Sequence, residues 1–295
     1  MVITFVSRTK AIAFKHCLML SAGGLSACGL FTFWAFWAFW AFWAFWAFWA
    51  FWAQNAWATT SSEHQISGNH FLSPSLKSMQ SDASLNPVSL WLDQGRNLWG
   101  SAPDKQSCYQ CHGDVQTLNF AAPQHPKWSA RLNRLVYLED QIVSCSERTS
   151  RPLRGLENPD VLALSALLHK SSQGLPFTVS APPNHAQEWQ TELNAGAQLF
   201  TTRNGAMNLA CTHCHDLNIG KQMRADIVSP GHPTGFPIFK MSWQSMGSID
   251  RRLRACFSGV QAEVPAPGSI ELRRLELFLK SRSQGLPIDG PSLRR

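Results

Sequence analysis

The sequence lacks any run of lysine or arginine long enough to track a nucleic-acid backbone. Its formal charge is +7, from 26 Lys and Arg against 19 Asp and Glu over 295 residues. Acid is absent from the first fifteen residues, which hold Arg8, Lys10 and Lys15, so the remainder carries only about +4. That mild bias argues against a nucleic-acid binder and favours an acidic or anionic partner. Methionine is absent from Gly113 to Ala206, which removes thioether sulfur from the local metal donors of that stretch. The length suits two small domains or one large one.

What is present begins with an export signal. A basic start leads into an apolar stretch from Leu18, then into a seven-fold Phe-Trp-Ala repeat from Phe33 to Ala53. Ala56-Trp57-Ala58 fits the small-x-small cleavage pattern. Two other readings stand beside cleavage. The tract is long enough to span a bilayer if retained, and Leu25–Cys28, "LSAC", resembles a lipoprotein processing site. Each reading places the remaining chain in the periplasm, where thiols pair or find metals. Residues 1–58 are therefore set apart from the fold.

The remainder repeats itself. "SQGLP" occurs at Ser172–Pro176 and Ser283–Pro287, 111 residues apart, as are Cys145 and Cys256. "CYQCH" (108–112) and "CTHCH" (211–215) are 103 apart, so the second copy holds eight extra residues between motif and lone cysteine. Each copy predicts a helix before the motif and another at its end. The first opens near Asn86–Pro87 and carries Leu90, Trp91, Leu98 and Trp99; its counterpart carries Leu193, Leu199 and Phe200. Val161, Leu164, Leu167 and Leu168 match Leu272, Leu275, Phe278 and Leu279, an apolar stripe in each terminal helix. Gly174 and Gly285 stop those helices. This organisation predicts an all-α protein of two tandem cytochrome c-like domains. Residues 59–180 form an extension plus the first domain, and residues 181–295 form the second. Ser180–Asn184 reads as the linker, and residues 59–88, polar and serine-rich, wrap the surface.

In C-x-x-C-H, two thiols bond a haem's vinyl groups and the histidine ligates the iron. A redox CxxC or half a zinc site is the bland alternative. Two matches at equivalent places favour two haem c groups, held by Cys108, Cys111 and His112 and by Cys211, Cys214 and His215. The sixth ligands have several candidates. The first copy offers His125, His169, His185 and Cys145; the second offers Met223, Met241, Met246, His232 and Cys256. Only Cys145 and Cys256 are candidates at matched positions, which assigns them to the first and second iron. A Cys145–Cys256 disulfide, or an inert thiol with Met or His on the iron, are the competing readings. An iron thiolate stabilises the ferric state and lowers the potential, which suits chemistry at sulfur better than electron shuttling.

The repeat also provides an internal control. Arg251, Arg252 and Arg254 stand where the first copy has Asp140, Gln141 and Val143. In a helix, Arg252 shares a face with Cys256, four residues on. There its guanidinium stabilises a thiolate and grips an anion in two-pronged fashion; a solvated basic face is the alternative. "SPGHPTGFP" (229–237), dense in turn formers, is expected to shape an opening onto the second haem, with the first haem closed.

These residues resemble SoxA, the dihaem subunit of the SoxAX cytochrome of thiosulfate oxidation. The resemblance runs through "LWLDQGRNLW", "SCYQCHGD", "ACTHCH", "GHPTGFP", "MSWQSMGSIDRRLRAC" and the final "RSQGLP". It implies an L-cysteine S-thiosulfotransferase that joins thiosulfate to a cysteine of the SoxYZ carrier. It further implies a heterodimer with SoxX, a small cytochrome c that takes the electrons. Cys256 corresponds to the catalytic cysteine, which in the family can carry a persulfide, and Arg252 to the arginine that positions substrate. A dihaem electron carrier without its own substrate, or a dihaem peroxidase, are the alternatives.

Overall fold

Local caps start the helices where the sequence places them. Asn86 accepts from the Val88 amide at 3.0 Å, and Asn158 accepts from the Asp160 amide at 2.9 Å with Pro159 in the first helical position. The computed structural model describes residues 65–100, 107–149 and 151–295. The Phe-Trp-Ala tract, the AWA and LSAC motifs, Cys17 and Cys28 lie outside the described residues.

Ten α-helices are present among the described residues: α1 Pro74–Ser81, α2 Val88–Gly100, α3 Cys108–His112, α4 Ala121–Gln124, α5 Leu138–Ser146, α6 Pro159–Ser171, α7 Ala186–Thr201, α8 Cys211–His215, α9 Ile249–Gly259 and α10 Ile270–Arg282. Short strands interrupt them, so the chain is not all-helical. β1 Lys127–Ser129 pairs with β2 Arg134–Val136. β3 Gln222–Met223 pairs with β4 Asp226–Ile227. β5 Ile238–Lys240 pairs antiparallel with β6 Ser245–Gly247 and parallel with β7 Ser292–Arg294. Two or three residues are too few to show period-two patterning, which is why sequence periodicity misses them.

The order α2, α3, β1–β2, α5, α6 recurs as α7, α8, β5–β6, α9, α10. In each series the long first helix packs on the terminal one at a glycine. A Cβ on Gly95 would lie 2.5 Å from the Ala163 carbonyl oxygen, and one on Gly196 would lie 2.2 Å from that of Arg274. The expected stripes are buried: Val161, Leu164, Leu167 and Leu168 pack with Trp99, Leu138 and Ile142. Leu272, Leu275 and Leu279 pack with Phe200, Ile249 and Leu253. Leu90 departs from expectation, at 74% exposed.

The two series also share cores. Leu162 and Ala166 of α6 pack with Phe239, Met246 and Leu293, and Leu135 packs with Leu277 of α10. The two SQGLP stretches lie side by side. The Phe177 amide donates to the Leu286 carbonyl at 3.0 Å, and the Ile288 amide donates to that of Leu175 at 2.9 Å. Ahead of α2 the chain forms α1 and a 3₁₀ turn at Gly68–Phe71, and Leu76 is buried against the Phe239–Met246 core.

Candidate functional site

Each CxxCH is one short helix that needs external anchors. At the first motif, Ser107 and Gln110 cap α3 reciprocally. Trp99 Nε1 donates to the Gly113 carbonyl at 3.0 Å, and its ring lies 6.1 Å from that of His112. A cavity of about 870 Å³ opens here, lined by Cys108, His112 and Cys145 together with apolar side chains such as Leu98, Ile142 and Leu164. That volume is within the range of cofactor sites. Burial pushes the Cys108 thiol up, and the proximity of Cys145 adds to the rise. Gln141 Nε2 donates to Cys145 Sγ at 3.2 Å. Two motif residues and a third sulfur on one apolar cavity fit a covalently held haem.

Of the other first-copy candidates, His125 also lines this cavity. Its Nδ1 donates to the Ala121 carbonyl at 2.7 Å. His169 Nδ1 donates to the Ser165 carbonyl at 2.9 Å, and His185 sits beside Glu188 and Trp128.

At the second motif, α8 is anchored by Arg282, which bonds Asp216 at 2.7 Å while stacking on Phe200. His215 Nδ1 bonds the Ser229 carbonyl at 2.7 Å. A carbonyl only accepts, so Nδ1 carries the proton and Nε2 keeps its lone pair for a metal. Burial holds His215 below its usual range, with Arg252 and Arg282 pushing the same way. Gly231, at φ +79°, packs on the ring; a Cβ there would lie 3.0 Å from Nδ1. These two ring holders, Ser229 and Gly231, were missed from sequence; the only signal was a glycine after the motif.

Cys256 of α9 faces the same place. Burial pushes Cys211 up to about 11, and Cys256 is the next contributor to that rise. Cys256 also raises Cys214. Met246 is buried in another core, Met241 packs against that core, and His232 Nδ1 bonds Ser283 Oγ at 2.8 Å. Met223 is 52% exposed on β3. Cys145 and Cys256 are both free, so the Cys145–Cys256 disulfide is not formed.

The three arginines divide. Arg251 bonds Ser245 Oγ at 2.9 Å and stacks on Trp243, and Arg254 bonds the Pro265 carbonyl at 3.2 Å. Among the described residues, the Arg252 guanidinium makes no ion pair or hydrogen bond. Its charge acts on His215, Lys240 and Arg294 instead. Arg294, also not anticipated, is held at about 10 by burial and then by its cationic neighbour Arg252, with Asp289 opposing.

The expected opening is corrected. Most of residues 229–237 are buried, because this segment supports His215 and pairs with the C-terminal strand. The exposed β3–β4 hairpin lies between the second motif and that segment. The cavity described above lies at the first site.

The SoxA/TsdA cytochrome c domain model matches residues 94–177. The L-cysteine S-thiosulfotransferase subunit SoxA of Pseudaminobacter salicylatoxidans is 30% identical over 234 residues, 78% of this chain and 81% of that protein. The chain belongs to the SoxA family. SoxA of Paracoccus pantotrophus is 28% identical, over 77% of this chain and 78% of its own length. The crystal structure of SoxXA from P. pantotrophus aligns with a TM-score of 0.70 at 27% identity, covering 78% of this chain and 87% of that one. The fold is thus the cytochrome c-like fold of SoxA, and a cytochrome c domain is a haem c domain.

Proposed function

We propose that the protein is a periplasmic L-cysteine S-thiosulfotransferase that couples thiosulfate to a cysteine of a SoxYZ-type carrier. It is built by duplication, with residues 1–58 as the export segment, 59–180 as extension and first domain, and 181–295 as second domain. It binds two haem c groups through Cys108, Cys111 and His112 and through Cys211, Cys214 and His215, with Cys145 and Cys256 as sixth ligands. A SoxX-type cytochrome is its partner and electron acceptor. The observation that carries this reading is Cys256 set beside the second CxxCH thiols, one helical turn from an arginine with no acid partner.

The overall reaction converts a carrier thiol and thiosulfate into a carrier S-thiosulfonate, one proton and two electrons. The haem supplies an electron acceptor and an electron-withdrawing centre at the sulfur. Arg252 grips the sulfonate oxygens and aims the outer sulfur at Cys256. A bond forms between Cys256 Sγ and that sulfur, releasing two electrons. The carrier thiolate then attacks the outer sulfur and takes the S–SO₃ group. Cys256 leaves as thiolate, ready for another turn. His215, its Nδ1 engaged by the Ser229 carbonyl and its ring packed on Gly231, would offer Nε2 to the iron.

Cys256→Ala, expressed with its partner cytochrome, tests this. Thiosulfate-dependent haem reduction with carrier present is expected to fall on the order of a thousandfold or more. Low-temperature EPR of the second haem is expected to change. Retained turnover removes the catalytic role; an unchanged spectrum removes the ligand.

A further inference from the structure

The core where the two copies meet holds charged groups that the proposed chemistry does not use. Glu276 and Lys280 of α10 form an ion pair at 2.9 Å with side chains only 2% and 5% exposed. The Lys280 ammonium faces the ring of Phe177, from the first copy, at 5.8 Å. One turn earlier, Arg273 stacks on Tyr137 at 4.3 Å and is already held by Asp140 on two nitrogens. Glu139 of α5, accepting from Ser165 Oγ at 2.6 Å, and Asp250 of α9, accepting from the Gly268 amide at 2.9 Å, both act on Glu276. Glu276 Oε2, Asp250 Oδ2 and the Tyr137 hydroxyl are buried with no protein partner.

The charges in this cluster are not evenly matched. Lys280 is the cation paired with Glu276, whereas Arg254 and Arg273 act on Asp250. A buried carboxylate with one oxygen left unpartnered is costly to ionise, which favours the protonated form of Glu276. Glu276 carries the large rise: burial pushes it up to about 7, Lys280 opposes, and Glu139 and Asp250 add to it. The cluster also reaches the first site. Lys280 acts on His125 and His169, and His125 lines the cavity that holds Cys108, His112 and Cys145. Both imidazoles are held neutral by burial, at about 4 and about 3, so they carry no charge that would mask Glu276 at neutral pH.

We propose that Glu276 is a redox-linked proton-binding site, taking up one proton from solvent when the first haem site gains one electron. The added electron is a negative charge, and the carboxylate becomes a neutral carboxyl, so net charge in the core is kept. This rests on haem binding at the first site. The expected size is on the order of tenfold, the effect of one unit charge on another across a few side chains at an effective dielectric of about 20. With the site oxidised, Glu276 titrates near neutrality; with it reduced, Glu276 titrates higher. The reduction constant of the first haem is therefore level in mild acid, falls about tenfold as pH rises from neutrality, and levels again.

The test is a spectroelectrochemical titration of the haem-loaded full chain, with dithionite as reductant, at a series of pH values from about 5.5 to 9. Wild type is expected to show that fall, equivalent to about 59 mV. Glu276→Gln is expected to flatten it and to abolish a carboxyl band in the reduced-minus-oxidised infrared difference spectrum. A flat wild-type profile, or a slope retained in Glu276→Gln, overturns the proposal. Should Glu276→Gln fail to fold, Lys280→Met decides. Losing the ammonium raises the carboxyl's proton affinity, so the window is expected to move to higher pH, and an unmoved window overturns the proposal. Absence of the first haem's absorption, read before titration, sinks the haem assignment itself and this proposal with it.

Discussion

Gly196→Ala tests how closely α7 is seated on α10. The new Cβ would lie 2.2 Å from the Arg274 carbonyl oxygen, 2.8 Å from its carbon and 2.9 Å from Phe278 Cβ. Two of those atoms are backbone, so no rotamer change relieves the contact. The helices must part by roughly an ångström, opening a core packed at crystal-like density. Overpacking of this kind costs about 1–3 kcal/mol, and a backbone clash belongs at the upper end. Replacing a helical glycine by alanine returns about 1 kcal/mol of propensity. The net loss is therefore about 2 kcal/mol, or a fall in Tm of about 4–8 °C for a unit of this size. Thermal unfolding of the haem-loaded protein followed by circular dichroism reads it. Gly100→Ala is the control: its Cβ meets nothing within 4 Å, so Tm should hold or rise slightly. If both variants behave alike, the helix crossing is not as close as described and the reasoning fails.

Three further outcomes are expected. Arg252→Met should raise KM for thiosulfate about 10–100-fold, the worth of a charge-assisted two-pronged contact. Arg251→Met should leave KM unchanged while lowering stability, since it loses the Trp243 stacking and the Ser245 bond. Equal KM effects would refute the division of the arginines. Gly231→Ala forces an L-residue to φ +79° and crowds His215 Nδ1. It should cost about 1–2 kcal/mol and alter the EPR signal of the second haem, which steady-state spectra of the variant would show or deny.

How much was legible in advance varies by residue. The CxxCH motifs, the matched lone cysteines and the buried stripes follow from residue type and spacing. Arg251, Arg252 and Arg254 are alike in sequence; Trp243 and Pro265, brought up from other elements, occupy two of them and leave Arg252 unengaged. The opening expected from turn formers at 229–237 failed because turn chemistry describes backbone direction, not exposure. Glu276 and Lys280, four residues apart on α10, have the spacing of an ordinary surface ion pair, and nothing in the sequence marks them out. The first copy covers them and turns them into a buried acid and base.

The sequence alone determined the helices that open and close each repeat, the repeat itself and the candidate sulfur and imidazole donors, because periodicity, capping and covalent motifs are local properties of a chain. Tertiary structure alone decided which arginine stays unpaired, which carbonyl sets the His215 tautomer and which glutamate loses its water. Desolvation and hydrogen-bond partnership depend on what packs against a group, and those neighbours come from tens to more than a hundred residues away.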